Sequence, residues 1–220
     1  MTEKPNIIKF FETLQFEKIT IEIDNGEEFE QFIFNTLIKV GFKEKKKEDD
    51  KKLNTYIMEK IKKDINKPIY KNLKNTYKEH NFFVYQPYGS QKHPDFLVFT
   101  KRKIYCIECK SSKQSNTPMW NSNLPNGDNI YLFLLHKNNK NELTFFLGKD
   151  VLSDKEVITM KKQSEENKNH SESKNENSKS RIKIYYRETY QDTSKKEDYF
   201  NDTNLENVIK FIKKQEKISD

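Results

Sequence analysis

Three charged residues interrupt two apolar runs that have the composition of β-strands. The stretch is PDFLVFTKRKIYCIECK, residues 94–110, and the residues are Asp95, Glu108 and Lys110. Charged groups are costly to bury unless they find partners, so their presence here indicates a specific role. Two neighbouring carboxylates suit a hard cation such as Mg²⁺, and an ammonium beside it can help deprotonate a water and offset transition-state charge.

A hairpin would bring the two acids together. Only TKRK separates the apolar runs, and a turn centred on residues 101–102 places Asp95 directly opposite Glu108. A four-residue loop gives the same register, whereas a three-residue loop would shift it. Opposed residues have Cβ atoms about 4.5–5.5 Å apart, so the two carboxylates would repel each other unless a cation lay between them. Successive side chains alternate, so Lys110 shares the face of Glu108.

The simpler alternative makes Asp95 and Glu108 surface residues near strand ends, with Lys110 as an ion-pair partner. Three features favour the metal site instead. Pro94 directly precedes Asp95, the acids oppose each other in the simplest register, and both flanking strands are apolar.

This stretch resembles the PD-(D/E)XK nuclease superfamily, because Pro94-Asp95, a hairpin and Glu108-Cys109-Lys110 match its motif. The resemblance implies Mg²⁺-dependent hydrolysis of phosphodiester bonds. Asp95 and Glu108 would be metal ligands, the backbone carbonyl of Cys109 would be a third, and Lys110 would activate the water.

The superfamily also carries a helix before the motif, often with an acidic residue that holds or orients water at the metal. GEEFEQFIFNTLIKVGF, residues 26–42, has apolar residues at helical spacing. Glu30 best fits the acidic position and Glu28 is the alternative, although either could be an exposed helix acid. The charged segment 43–78, a predicted helical insertion, departs from the family pattern.

Among the branches of the superfamily, the chain most resembles a type II restriction endonuclease. This resemblance implies double-stranded DNA as the partner, and cutting both strands of a palindrome favours a homodimer. Polar loops around the motif offer side chains that can read base edges. The candidate DNA-contact residues are Gln91, His93, Ser112, Lys113, Asn116, Trp120, Asn121 and Asn123.

Blander roles remain open for these residues: ordinary surface loops, core packing for Trp120, and a structural position for His93, which falls opposite Lys110 in the same register. Two other functions also remain open. One is a Holliday-junction resolvase or DNA-repair nuclease with the same core, and the other is a non-catalytic DNA-binding protein. The net charge of +7 agrees with a polyanionic partner in each case.

The order of predicted strands and helices around the site indicates one α/β domain over residues 1–220. We expect a mixed β-sheet flanked by helices, with a restriction-endonuclease-like core. Residues 164–180 contain no aliphatic or aromatic side chain, which predicts a disordered loop. Other predicted elements are strands at 18–23, 82–85, 130–135, 143–147 and 181–187, and helices at 7–16, 53–66, 69–79 and 204–217.

Two cysteines, Cys106 and Cys109, form a lone CxxC. In a strand they face opposite sides, which argues against a redox pair or a zinc site. No apolar run has the roughly 20 residues of a membrane span, and the N-terminus lacks the apolar centre of a signal peptide. We therefore expect a cytoplasmic protein with no membrane partner.

Overall fold

The computed structural model describes residues 4–17, 23–121, 123–137, 140–176, 186 and 189–218. Within these residues the chain forms a mixed seven-stranded sheet flanked by helices, as the α/β prediction requires. The strands are β1 (Lys43–Glu44), β2 (Leu73–Lys74), β3 (Phe82–Tyr85), β4 (Phe96–Phe99), β5 (Lys103–Ser112), β6 (Trp120–Asn121), β7 (Ile130–Lys137), β8 (Lys140–Leu147) and β9 (Thr189–Tyr190). The helices are α1 (Asn6–Glu17), α2 (Gly26–Lys39), α3 (Lys51–Thr55), α4 (Lys62–Ile65), α5 (Gly148–Val151), α6 (Asp154–Glu176), α7 (Lys196–Tyr199) and α8 (Asp202–Glu216).

The order of strands in the main sheet is β1-β3-β4-β5-β7-β8, and β2 pairs with the start of β5. The β1–β3 and β5–β7 pairs are parallel, and the other pairs are antiparallel. A separate two-stranded sheet joins β6 to β9. Strand β5 is therefore central, with β4 along one edge and β7 along the other.

The predicted hairpin and its register are confirmed. Leu97 lies opposite Cys106 and Phe99 opposite Ile104. The turn is closed by the Thr100 N–H, which donates to the Lys103 carbonyl at 2.9 Å. Alternate residues of β4 then enter different cores: Phe96 packs with α1, α2 and α8, and Leu97 packs on the opposite face.

The second face of the sheet is covered by the segment predicted as an insertion. Leu53, Ile57 and Ile61 recur every four residues, are fully buried, and pack on that face. They lie on α3 and on a π-helical turn, Tyr56–Ile61, that leads into α4. Segment 43–78 is thus only partly helical, since it also contributes β1 and β2.

The predicted helix over residues 69–79 is wrong. This segment forms no helix, and several of its hydrogen bonds go to other elements. The Tyr70 hydroxyl donates to the Ile104 carbonyl, and the Asn72 N–H donates to the Asp128 carboxylate. Asn75 donates to the Thr100 carbonyl at 2.7 Å. Tertiary hydrogen bonds therefore override the local helical spacing.

The predicted disordered loop at 164–180 is also wrong over residues 164–176, which continue α6. Ser153 and Glu156 form reciprocal bonds at the start of this helix, the arrangement of a capping box. Ion pairs four residues apart, such as Lys162–Glu166, support its polar surface. Three predicted parts of the chain lie wholly or mostly outside the described residues. They are residues 177–180, residues 18–22 of the predicted strand 18–23, and all of the predicted strand 181–187 except residue 186.

Among the described residues, no helix is both long enough and apolar enough to cross a membrane.

The turn of the β4–β5 hairpin is tied to the C-terminal helix by a buried carboxylate. Glu216 is 7% exposed, and its Oε1 accepts hydrogen bonds from the Thr100 and Tyr105 hydroxyls at 2.6 and 2.9 Å. Thr100 belongs to the turn and Tyr105 to β5, so this one side chain connects α8 to both parts of the hairpin.

We expect Glu216→Ala to lower the free energy of unfolding by about 1–3 kcal/mol, because two buried hydroxyls lose their acceptor. Glu206→Ala is the matched control on the same helix. Its exposed pair with Lys210 is worth about 0.5 kcal/mol or less. Urea denaturation measures both variants, and equal effects would contradict the assigned role of Glu216.

Candidate active site

Asp95 reaches across the open end of the hairpin. The β4–β5 pairing ends at Phe96 and Ile107, whereas β5 continues beside β7 as far as Ser112. Asp95 Oδ2 accepts a hydrogen bond from the Cys109 N–H at 2.7 Å. The carboxylate thus takes the place that a strand residue would have occupied.

The Glu108 carboxylate is held by two cationic or cation-forming side chains. Lys110 Nζ lies 2.6 Å from Glu108 Oε1, and His93 Nδ1 lies 2.8 Å from Oε2. The Glu108 side chain is only 9% exposed, so these contacts compensate a charge that has largely left water. The side chains of Glu108 and Lys110 are therefore neighbours, as predicted.

Glu30 belongs to the same cluster, and Glu28 does not. Glu30 Oε2 accepts hydrogen bonds from the Tyr85 hydroxyl at 2.7 Å and from Gln86 Nε2 at 3.2 Å. Glu28 instead accepts from the Asp24 N–H at 2.8 Å and completes the N-terminal cap of α2 with Asn25. Of the two candidate acids, Glu30 is the one that faces the hairpin.

The two acids of the hairpin have opposite electrostatic environments. Burial, followed by repulsion from Glu108 and Glu30, raises the pKa of Asp95 to about 8. Burial also acts to raise the pKa of Glu108, but His93 and Lys110 outweigh it and lower that pKa to about 2. One carboxylate is therefore neutralised by its partners, and the other is left without a sufficient positive charge.

The donor set at this point suits a divalent cation. The N–H and C=O of one strand residue point to the same edge, so the Cys109 carbonyl is on the side of Asp95. Continuing the register places Pro94 opposite Cys109, and proline has no N–H to donate to that carbonyl. Asp95, Glu108 and this carbonyl are hard oxygen donors, which Mg²⁺ supplements with water and phosphate oxygens.

No group of three or more His, Cys, Asp or Glu side chains arranged to hold a metal occurs among the described residues. The donor set above contains two carboxylates and one backbone carbonyl, so it depends on oxygens from the backbone, solvent and substrate.

Two of the candidate DNA-contact residues are in the interior, which corrects the expectation for them. Trp120 is 3% exposed, and its Nε1 donates to Asp192 at 3.0 Å. It packs against Tyr131 and Phe146, so the core-packing alternative describes it. Ser112 is 8% exposed, and its hydroxyl accepts from the Ser115 N–H.

His93 is largely buried and contacts Glu108, which differs from a solvent-facing role. The remaining candidates share an exposed position on loops or on the edge of the small sheet. They are Gln91, Lys113, Asn116, Asn121 and Asn123.

Tyr85 and Gln86 also belong to the site, and the sequence alone did not point to them. Gln86 has φ of 44°, and its N–H donates to the Asp95 carbonyl at 2.7 Å. It therefore closes the loop between β3 and β4 while its side chain contacts Glu30 and Tyr85. Both residues could have been suspected because they lie at or directly after the end of the predicted strand 82–85, close to the motif.

The cysteines are free thiols on different faces of β5. Cys106 packs in the core that contains Leu97, and Cys109 packs beside the core that contains Phe96. This placement agrees with the argument against a redox pair.

Comparison with known proteins gives no match to any family model, curated protein or solved structure.

We expect Asp95→Asn to stabilise the protein in EDTA above pH 8. The raised pKa means that the folded state loses stability as pH rises from about 4 through about 8. The amide removes that loss and still offers an oxygen to the Cys109 N–H. The melting temperature should rise by about 3–6 °C at pH 9, and the difference should disappear near pH 4.

Glu108→Gln should do the reverse. The lowered pKa of Glu108 means that its contribution to stability is present at neutral pH and is lost as pH falls from about 4 towards about 2. Removing the charge should lower the melting temperature at pH 7. If both variants shifted the melting temperature in the same direction at pH 9, the opposite environments of the two acids would be wrong.

Proposed function

We propose that the protein is a Mg²⁺-dependent endonuclease that hydrolyses phosphodiester bonds in double-stranded DNA. The observation that carries the proposal is the meeting of Asp95 with Glu108 and Lys110 at the open end of the hairpin, in the register expected from the sequence. The resemblance to the PD-(D/E)XK superfamily supplies the reaction class, and type II restriction endonucleases are the branch we favour.

Asp95, Glu108 and the Cys109 carbonyl would hold the cation. When bound, Mg²⁺ supplies Lewis-acid polarisation of the phosphate and a lower pKa for water. The positive charge would also relieve the repulsion that raises the pKa of Asp95. Asp95, the hairpin acid that lacks a sufficient positive partner, is thus one of the residues assigned to the metal.

Lys110 would act on the attacking water and on the phosphate. Its ammonium stands beside Glu108 at 2.6 Å, next to the proposed cation position. It can orient the water, favour release of its proton to solvent by stabilising the hydroxide that forms, and offset charge that develops on the phosphate oxygens. His93 lies on the other oxygen of Glu108 and keeps that carboxylate in place, so it is a positioning residue.

Glu30 would orient the water from the α2 side. Its carboxylate is fixed by Tyr85 and Gln86, and its charge is one of the causes that raise the pKa of Asp95, after burial and Glu108, which supports this role. α2 packs through Phe29 and Ile33 in the same core as Ile107 of β5. This packing fixes the distance between helix and hairpin, which supports the proposal of a restriction-endonuclease-like core.

The net charge of +7 supports a nucleic-acid substrate. A homodimer is part of the proposal, because a two-fold axis would place one site on each strand of a palindromic sequence.

Cleavage of plasmid and phage DNA tests the reaction. We expect discrete fragments with Mg²⁺ and none with EDTA. Cleavage confined to four-way junctions would identify a resolvase instead, and DNA binding without cleavage would identify a non-catalytic protein. Both outcomes would overturn the proposed restriction activity.

Asp95→Ala and Lys110→Ala should each lower the rate of cleavage by at least about 10³-fold, because each removes a group that acts at the reacting phosphate. DNA binding in Ca²⁺, measured by gel shift, and the circular-dichroism spectrum should change little. Lys101→Ala removes the same charge at the opposite end of the hairpin and is the control, with cleavage within about twofold of the wild type. Near-normal turnover in either active-site variant would refute the assigned role.

A further inference from the structure

A cleft of about 380 Å³ is lined in part by His93, and neither Asp95 nor Glu108 belongs to its lining. Its wall is formed by α4, the β3–β4 loop, the segment that leads into β7, and α6. This volume is at the small end of the range for sites that bind small molecules. His93 belongs both to this wall and to the candidate active site, since its Nδ1 contacts Glu108.

The cleft is positively charged. Lys62, Lys92 and Lys161 are among its lining residues, and no acidic side chain is, among the described residues. Lys161 also donates to the Pro68 carbonyl at 3.2 Å, and Lys62 Nζ lies 5.7 Å from the centre of the Tyr88 ring. Three ammonium groups from three different elements favour an anionic ligand such as a phosphate.

The wall of the cleft contains two buried polar atoms that lack a hydrogen-bond partner. They are Asn129 Oδ1 and His93 Nε2. Asn129 is 2% exposed, and the His93 side chain is 10% exposed. Buried polar groups almost always have partners. Asn129 Oδ1 is an acceptor, whereas a histidine ring nitrogen can donate or accept. The two atoms therefore indicate a polar ligand that carries both hydrogen-bond donors and acceptors, as a purine or pyrimidine base does.

Aromatic rings provide a surface for a planar group. The partly exposed rings of Tyr88 and His93 line the cleft. Tyr131 is 1% exposed and lies behind His93, whose ring is nearly parallel to it, with centroids 6.3 Å apart and an angle of 18°. The Tyr131 hydroxyl donates to the Leu124 carbonyl, so the ring is held by its own hydrogen bond. Bases stack on such rings in many nucleic-acid-binding proteins.

We propose that this cleft binds a single nucleotide, with the phosphate near the lysines and the base against the aromatic and amide wall. The contact of His93 with Glu108 places the bound nucleotide next to the candidate catalytic centre. Two sources share this chemistry: a nucleotide that the enzyme extrudes from its DNA substrate, and a free nucleotide. Binding itself does not depend on the proposed nuclease activity, and only the assignment of DNA as the source rests on it.

Isothermal titration of the full chain in EDTA with each of the four deoxynucleoside 5′-monophosphates tests the proposal. We expect at least one to bind with a Kd between about 10 µM and 1 mM. Deoxyribose 5-phosphate and inorganic phosphate, which lack the base, should bind at least about tenfold more weakly. No binding at 10 mM in roughly physiological salt, or equal binding of phosphate alone, would overturn the proposal.

Two variants locate the site. Lys92→Glu reverses a charge in the cleft and should weaken binding at least about tenfold, whereas Lys101→Glu makes the same change at the hairpin turn and should stay within about twofold. Asn129→Asp keeps the shape of the side chain and should also weaken binding of the anion. Equal effects of Lys92→Glu and Lys101→Glu would show that binding is not in the cleft.

Competition identifies the source of the nucleotide. Displacement of the bound monophosphate by duplex DNA would mean that both use the cleft, and simultaneous binding would mean a free nucleotide. The two proposals fail separately. A protein that binds the monophosphates but does not cut DNA would remove only the nuclease function, and a protein that cuts DNA but binds no monophosphate would remove only the nucleotide site.

Discussion

β4 and β5 differ in how far they extend, and the candidate site depends on this difference. β4 begins one residue after Asp95, whereas β5 continues beside β7 to Ser112. On its other edge β5 therefore has backbone groups that β4 does not reach, and the Asp95 carboxylate meets them at Cys109. The alternation of the strand places Glu108 and Lys110 on one face, two residues apart along β5.

The charges around this point balance only in part. Glu108 has Lys110 and His93, while Asp95 has a backbone N–H and two acidic neighbours. A cluster selected for stability alone would not leave Asp95 in this condition, because a buried carboxyl whose pKa is raised lowers the stability of the folded state at neutral pH. Such conflicts are characteristic of sites that bind a charged ligand.

The sequence predicted the hairpin well because short apolar runs and a short turn leave few registers. The sequence favoured Glu30 over Glu28 but left Glu28 as an alternative. The helix cap that occupies Glu28 involves Asp24, a residue before the helix. The prediction failed where distant residues decide the outcome. Tyr70 and Asn75 bond to the hairpin turn and β5, and Trp120 is fixed by Asp192, 72 residues away.

The bond between Asp95 and the Cys109 N–H has one more effect. An uncovered strand edge is a template on which another polypeptide can add as a further strand. Here the Asp95 side chain occupies the Cys109 N–H on that edge, and Pro94 beside it has no N–H to offer. Addition of a foreign strand at this point would first have to break that bond, so the residue proposed for the metal would also disfavour edge-to-edge association.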